Sequence, residues 1–177
     1  MNNISTRNPI NQNQLQSTKF QMIFPRISTT EYFCQSINLP GLSTNPAIQN
    51  TPFTTIYRPG DKTEFNTLTM NFIIDEDLWS WELIHDWIRC YSFPTDFNEY
   101  KKLKSLSHIS ELSDRPQYTD GELNILTALN NVKMKVIFKD LFPISISDVV
   151  FETTSSAEKA IIAAANFKYQ YYTIKRL

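Results

Sequence analysis

Glycine is scarce in this chain of 177 residues, with only Gly41, Gly60 and Gly121 present. Loops that cradle phosphates need clustered glycines, so nucleotide-binding readings of the Walker, dinucleotide or kinase type are excluded. Cysteine is nearly absent too: Cys34 and Cys90 lack the paired spacing of a zinc site and read as reduced packing thiols. There are two histidines, His85 and His108, and neither has a second His or Cys at ligand spacing. A net charge of −1 gives no general basic field, so any DNA that meets this protein is not held by overall charge. No run approaches the roughly 18–20 apolar residues of a membrane-spanning helix. Residues 1–18 are rich in Asn, Gln and Ser and lack a signal-like apolar stretch, so export and membrane insertion are not expected.

What is present suits one packed domain. The 41% hydrophobic and 13% aromatic content can fill a core. Residues 1–18 are expected as a polar arm and 19–177 as a single domain. Strands are predicted over 19–24, 31–39 and 54–58. Residues 42–53 hold Pro46 and Pro52 and no helical period, so they are expected as a long connection or hairpin tip. Thr67, Thr69 and Asn71 alternate with Leu68, Met70 and Phe72 over 67–74, the clearest strand pattern in the chain. Asp75 or Asp77 would then cap a helix over 78–90, in which Leu78, Trp81, Ile84, Trp87 and Ile88 share a face.

The middle of the chain is the hardest to read. Short helical turns are expected near 97–104 and 121–129. Residues 132–138 read as a strand, and 142–147 as a turn into another. Residues 160–174 alternate with a period of two and read as one long strand, although the start is alanine-rich. Its expected face carries Ala163, Ala165, Phe167, Tyr169 and Tyr171. About seven strands and one main helix make this a mainly β fold, an antiparallel sandwich or barrel with a helix at its side.

No residue set selects a reaction. His85 lies beside Asp86 but lacks a third partner. Asp75, Glu76 and Asp77 suit a helix N-terminus, and their spacing does not make a calcium loop. There is no nucleophile elbow, and nothing singles out one carboxylate pair. Lys168 beside Tyr169, Tyr171 and Tyr172 is a thin hint of base stacking, outweighed by the placing of aromatics on core faces. Catalytic residues, cofactor and metal are therefore all expected to be none.

The order of segments carries more. A Leu39-Pro40-Gly41 turn follows a strand. Then come Gly60-Asp61 and Phe65, a strand, the acid at Asp75, and a helix ending in Asp86-Trp87-Ile88. The chain closes with 139–147 (KDLFPISIS) and a long aromatic strand. This order resembles the tail-tube proteins of contractile-tailed bacteriophages, including related tube initiators, over roughly residues 19–91 and 132–174. The resemblance implies a structural protein in hexameric rings. Neighbouring sheets would join into a barrel around a channel, and stacked rings would form a tube that passes double-stranded DNA. The implied partners are further copies of the chain and the sheath, tape-measure and baseplate proteins, in a virion tail assembled in the host cytoplasm.

Under that resemblance, Leu42, Ile48, Phe53, Phe167, Tyr169 and Tyr171 are candidates for contact between subunits. Thr67, Thr69, Asn71, Lys133 and Lys135 are candidates for the channel wall. The two lysines are the awkward members, because phosphate contacts would slow sliding DNA. They are expected to pair with acids of a neighbour or to sit outside the channel. A tube initiator or injection-system subunit would share the core. A β-sandwich module that binds carbohydrate or peptide, or a hydrolase on a β scaffold, are the readings from other classes.

Overall fold

The computed structural model describes residues 14–25, 34–92, 94–96, 98–99, 115, 117–153 and 160–177. Within them run β1 (Phe20–Ile23), β2 (Cys34–Ile37), β3 (Leu42–Thr44), β4 (Ala47–Asn50), β5 (Thr55–Arg58), β6 (Thr63–Phe65) and β7 (Leu68–Ile73). Helix α1 (Trp79–Ser92) follows. Then come β8 (Thr119–Leu126), β9 (Val132–Ile146), β10 (Ile162–Lys168) and β11 (Tyr171–Arg176). All pairings are antiparallel. The main sheet has the order β1-β8-β9-β10-β7-β2, with β11 also on β9. The expected mainly β, antiparallel fold with a helix at its side is what forms.

Strand β9 makes this one sheet with two halves. Its first part pairs with β8 and β11, and its end pairs with β10. At the change-over Asp140 has a φ of 52°, in the left-handed region. Between Gly121–Phe138 and Thr119–Leu141, β8 advances two residues while β9 advances three. This bulge bends the strand and shifts its phase, so Val136 and Phe138 are buried before it and Leu141 and Pro143 after it. Pro143 has no N–H for the ladder. It sits where the register with β10 also shifts, a position that tolerates proline. The separate strands expected over 132–138 and 142–147 are thus one bulged strand.

Both halves turn their apolar faces to one core. Met22, Phe24, Leu68, Met70, Phe72, Phe138, Ala163, Ala165 and Phe167 are buried there. The small alanines of β10 leave room for the helix and the larger rings. Phe167 stacks on Phe24 at 5.4 Å between centroids and lies 6.4 Å from the Trp87 ring.

Helix α1 closes the side of this core. The backbone N–H groups of Trp79 and Ser80 donate to the Asp75 carboxylate at 3.2 and 3.0 Å, so Asp75 is the cap. Leu78 does not belong to the apolar helix face. It precedes the helix, with a φ of 58°, and is exposed. The buried face is Ser80, Ile84, Trp87 and Cys90. Three aromatic groups donate to backbone carbonyls and fix the helix: Trp81 Nε1 to Ser147 at 3.1 Å, Trp87 Nε1 to Gln117 at 3.0 Å, and Tyr91 Oη to Pro143 at 2.7 Å.

Two expectations are corrected and a third is narrowed. The helical turn near 121–129 is strand β8, which is hydrogen-bonded to β1 and β9 on its two sides. Of the two alternatives for residues 42–53, the hairpin forms and the irregular connection does not, since they contain β3 and β4 and pair with β6 and β5. The long strand over 160–174 is divided at Tyr169 and Gln170 into β10 and β11, both running against β9. Most of 97–104, residues 1–13 of the polar arm and the start of the 31–39 strand lie outside the described residues.

Candidate assembly surface: an exposed ribbon and a polar sheet face

Residues 42–65 leave the main sheet as a two-stranded ribbon in two sections. The root section pairs β3 with β6, and the distal section pairs β4 with β5. Between them two residues, Asn45 and Pro46, lie opposite four, Pro59 to Lys62, with Gly60 against the Asn45 carbonyl. The prolines have no N–H, so the ladder is interrupted there. Every residue of β3, β4 and β5 is exposed. The tip is ordered by its own bonds: Thr51 N donates to Thr54 O at 3.0 Å, Thr51 Oγ1 to Thr54 O at 2.6 Å, and Thr54 N to Thr51 Oγ1 at 3.1 Å. An isolated two-stranded hairpin is marginal in water, so such a ribbon gains most when something covers it.

Leu42, Ile48 and Phe53 all lie on this ribbon with exposed side chains, and Phe53 at the tip is 98% exposed. Ile48 faces Tyr57 across the strands, and Tyr57 is exposed as well. The other contact candidates divide. Phe167 and Tyr169 are buried in the subunit's own core, so their side chains are not on the surface. The inward phase of β10 carries them there. The break at Tyr169–Gln170 then reverses the phase, leaving Tyr171 exposed and Tyr172 half-buried. Tyr171 opens β11, whose register among the described residues runs along β9, with its other side unpaired among them.

The channel-wall candidates fall on two halves of the sheet. Thr69 and Asn71 point outward from β7 into an uncharged hydrogen-bonded row. Thr69 Oγ1 donates to Asn166 Oδ1 at 2.7 Å, Asn166 Nδ2 to Ser145 Oγ at 3.0 Å, and Asn71 Nδ2 to Ser36 Oγ at 2.9 Å. Asn38 extends the row, accepting from Thr69 N at 2.6 Å and donating to the Thr67 carbonyl at 3.0 Å. Lys133 and Lys135 belong instead to the first part of β9. Lys133 is exposed, and Lys135 is paired within the chain to Glu122 at 2.7 Å. Next to it Lys139 pairs with Asp120. Sequence reading missed Ser36, Asn38, Ser145 and Asn166. Their signal was the small polar residue at alternate positions, which marks an outward face without showing which strands adjoin.

Among the described residues, His85 is the one histidine. His85 Nδ1 lies 3.2 Å from Asp86, and its ring stacks on Trp81 at 5.1 Å. An open depression of about 380 Å³ is lined by His85, Ile88, Arg89, Ser92, Pro94 and Thr95. The described residues hold no cluster of three or more His, Cys, Asp or Glu placed to bind a metal. Among them, no helix is long and apolar enough to cross a membrane.

Known proteins share this architecture along the whole chain. The tail tube terminator protein of Enterobacteria phage T4 is 25% identical over 174 residues, covering 93% of this chain and 90% of that relative. The tube-terminating cap of the anti-feeding prophage superposes with a TM-score of 0.61 at 11% identity, over 99% of each chain. A chain from the sheath–tube complex of an extracellular contractile injection system superposes at 0.59 with 10% identity, over 94% of each chain. At such identities the structural likenesses establish the fold. The family model for phage tail tube protein matches residues 6–175, and the chain belongs to that family.

Proposed function

We propose that this chain is a non-catalytic structural subunit of a contractile phage tail that forms hexameric rings and stands at the end of the tube as its terminator. The observation that carries this reading is the exposed ribbon of residues 42–65, paired in both of its sections yet uncovered by the other described residues. Such a surface suits a neighbour in a ring or the ring below. The place at the tube end rests on the T4 relative, named a tail tube terminator and similar over nearly its whole length. A terminator would face sheath and tube subunits, with tape-measure and baseplate proteins elsewhere in the same tail.

In a ring, the edges of β1, β2 and β11 that are unpaired among the described residues would be consumed by neighbours, as a closed assembly requires. The row of Thr69, Asn71, Asn166 and Ser145 is the better channel wall. Its side chains are uncharged, with Thr69 bonded through Asn166 to Ser145 and Asn71 bonded to Ser36, so they offer passing duplex DNA no cation to hold it. Electron microscopy of the purified chain, alone and mixed with growing tail tubes, tests the reading. Sixfold rings that seat on one tube end and stop elongation are expected. A chain that stays monomeric at high concentration with and without tubes would overturn it.

A further inference from the structure

The ribbon leaves the body at two points, Pro40-Gly41 before β3 and Asn66 after β6. Both are held by one short segment of the chain. The Tyr169 hydroxyl donates to the Asn66 carbonyl at 2.9 Å, and the Tyr172 hydroxyl donates to the Pro40 carbonyl at 3.2 Å. The Phe65 ring closes the root from above, in edge contact with Tyr169 at 5.8 Å and Tyr172 at 5.7 Å. Below, Phe138 meets the same two rings at 5.0 and 5.7 Å. Asn66 N donates to Gly41 O at 3.1 Å and closes the root ladder between them.

A regular strand could not supply this grip. Residues 169 and 172 are three apart, so strict alternation would turn them to opposite faces. The break between β10 and β11, at Tyr169 and Gln170, precedes Tyr172, and it brings both rings to one side, with 6.1 Å between centroids. Both strands keep their antiparallel course along β9, with Gln170 N donating to Lys139 O at 3.0 Å across the break. Burial pushes the Tyr169 hydroxyl up to about 12, with Tyr172 adding to the rise, so it remains a donor at neutral pH.

We propose that Tyr169 and Tyr172 are positioning residues for assembly: a pair of hydroxyl clamps that fix the direction in which the ribbon leaves the subunit, without touching a neighbour themselves. This rests on the reading that the ribbon is an assembly element. It also gives the interrupted strand a purpose, because the phase reversal is what aims both tyrosines at the root.

The test uses the full chain with Tyr169→Phe, Tyr172→Phe and the double substitution. Each keeps the ring and removes one donor. Hydrogen exchange read by mass spectrometry on the unassembled chain reports the clamp directly, over peptides spanning residues 38–45 and 63–68. For the double variant these root peptides are expected to exchange about tenfold faster, the scale of two lost hydrogen bonds. Protection in β7 and β10 should stay as in wild type, and ring formation or tube capping should weaken. Unchanged root exchange would overturn the clamp, as would a loosened root that leaves assembly intact. Equal loss of protection in the root and in β7 would also overturn it, because the tyrosines would then be ordinary core. If Tyr169→Phe disturbs folding, Tyr172→Phe alone carries the same comparison, since that ring is only half-buried. The exchange measurement does not depend on assembly. A wild-type chain that never assembles therefore counts against the proposed function while the root exchange still decides the clamp.

Discussion

A Cβ placed on Gly60 would lie 1.9 Å from the carbonyl oxygen of Asn45. The contact is with backbone, which cannot swing away like a side chain, and it falls at the joint between the two sections of the ribbon. Gly60→Ala is therefore expected to displace β4 and β5 from their course. The ribbon is exposed and outside the core, so the melting temperature of the isolated chain should change little. Ring formation or tube capping should be lost. Thermal melts paired with electron microscopy check this. A variant that assembles as wild type does would show that the joint has room to move.

Phe53→Asp places a charge at the ribbon tip. Because the side chain is 98% exposed, stability should stay within about 0.5 kcal/mol of wild type in urea unfolding. Assembly should weaken if the tip enters a neighbour. Undiminished assembly, measured by sedimentation over a concentration series, would remove Phe53 from the contact.

Trp87 is a stability residue. Its ring is buried against Phe167, and its Nε1 donates to the Gln117 carbonyl. Trp87→Ala should cost about 3–5 kcal/mol in chemical denaturation, from the cavity and the lost donor together. A variant of wild-type stability that merely fails to assemble would contradict this placement.

The Asp75 cap gives stability a dependence on acid. Partial desolvation works to raise its carboxyl, but the hydrogen bonds from the backbone N–H groups of Ser80 and Trp79 outweigh this and hold it below the ordinary value of 3.8. A depressed folded value means the contribution is fully present above 3.8 and is lost as pH falls through the lower, folded value. Asp75→Ala should cost about 1 kcal/mol near neutrality. The gap to wild type should close as the pH is lowered through that range. A gap that stays constant with pH would show that the charge is not what caps the helix.

Burial pushes the Cys34 thiol up to about 11. At pH 7.5 almost no thiolate is present, so alkylation in the folded chain should run far more slowly than in the chain unfolded by guanidinium. Equal rates, followed by mass spectrometry, would place Cys34 in a more open setting.

Strand β7 and helix α1 were legible in the sequence because each buries one face, and that burial writes its period into the residues. Leu68, Met70 and Phe72 lie inward as their alternation requires, and Trp87 and Ile84 do so at helical spacing. Of the ribbon, only β5 was legible as a strand, over 54–58; β3, β4 and β6 were not. Neither of its faces is buried, so no alternation is imposed, and Pro46 and Pro59 look like breaks when they mark a joint. Strand β8 was obscured by helix-forming residues such as Glu122, Leu123 and Leu126. Pairing on both sides overrides that local preference. Within the candidate site, the exposed apolar residues of the ribbon could be picked out from its composition. The tyrosine clamp could not, because it joins residues 169 and 172 to a root more than 100 positions earlier.

Strand β9 gives the subunit a tendon. A load entering at β2 passes through β7 and β10 into the end of β9, and leaves from its beginning through β8 to β1. Each transfer is a row of antiparallel bonds that share the strain, while the backbone of β9 carries it across the middle as a covalent cable. Asp140 and Ile144 have no partners in the registers of β8, β10 or β11, so the cable runs unsupported at those two residues. Under tension the subunit would flex there first, as a beam does at its notches.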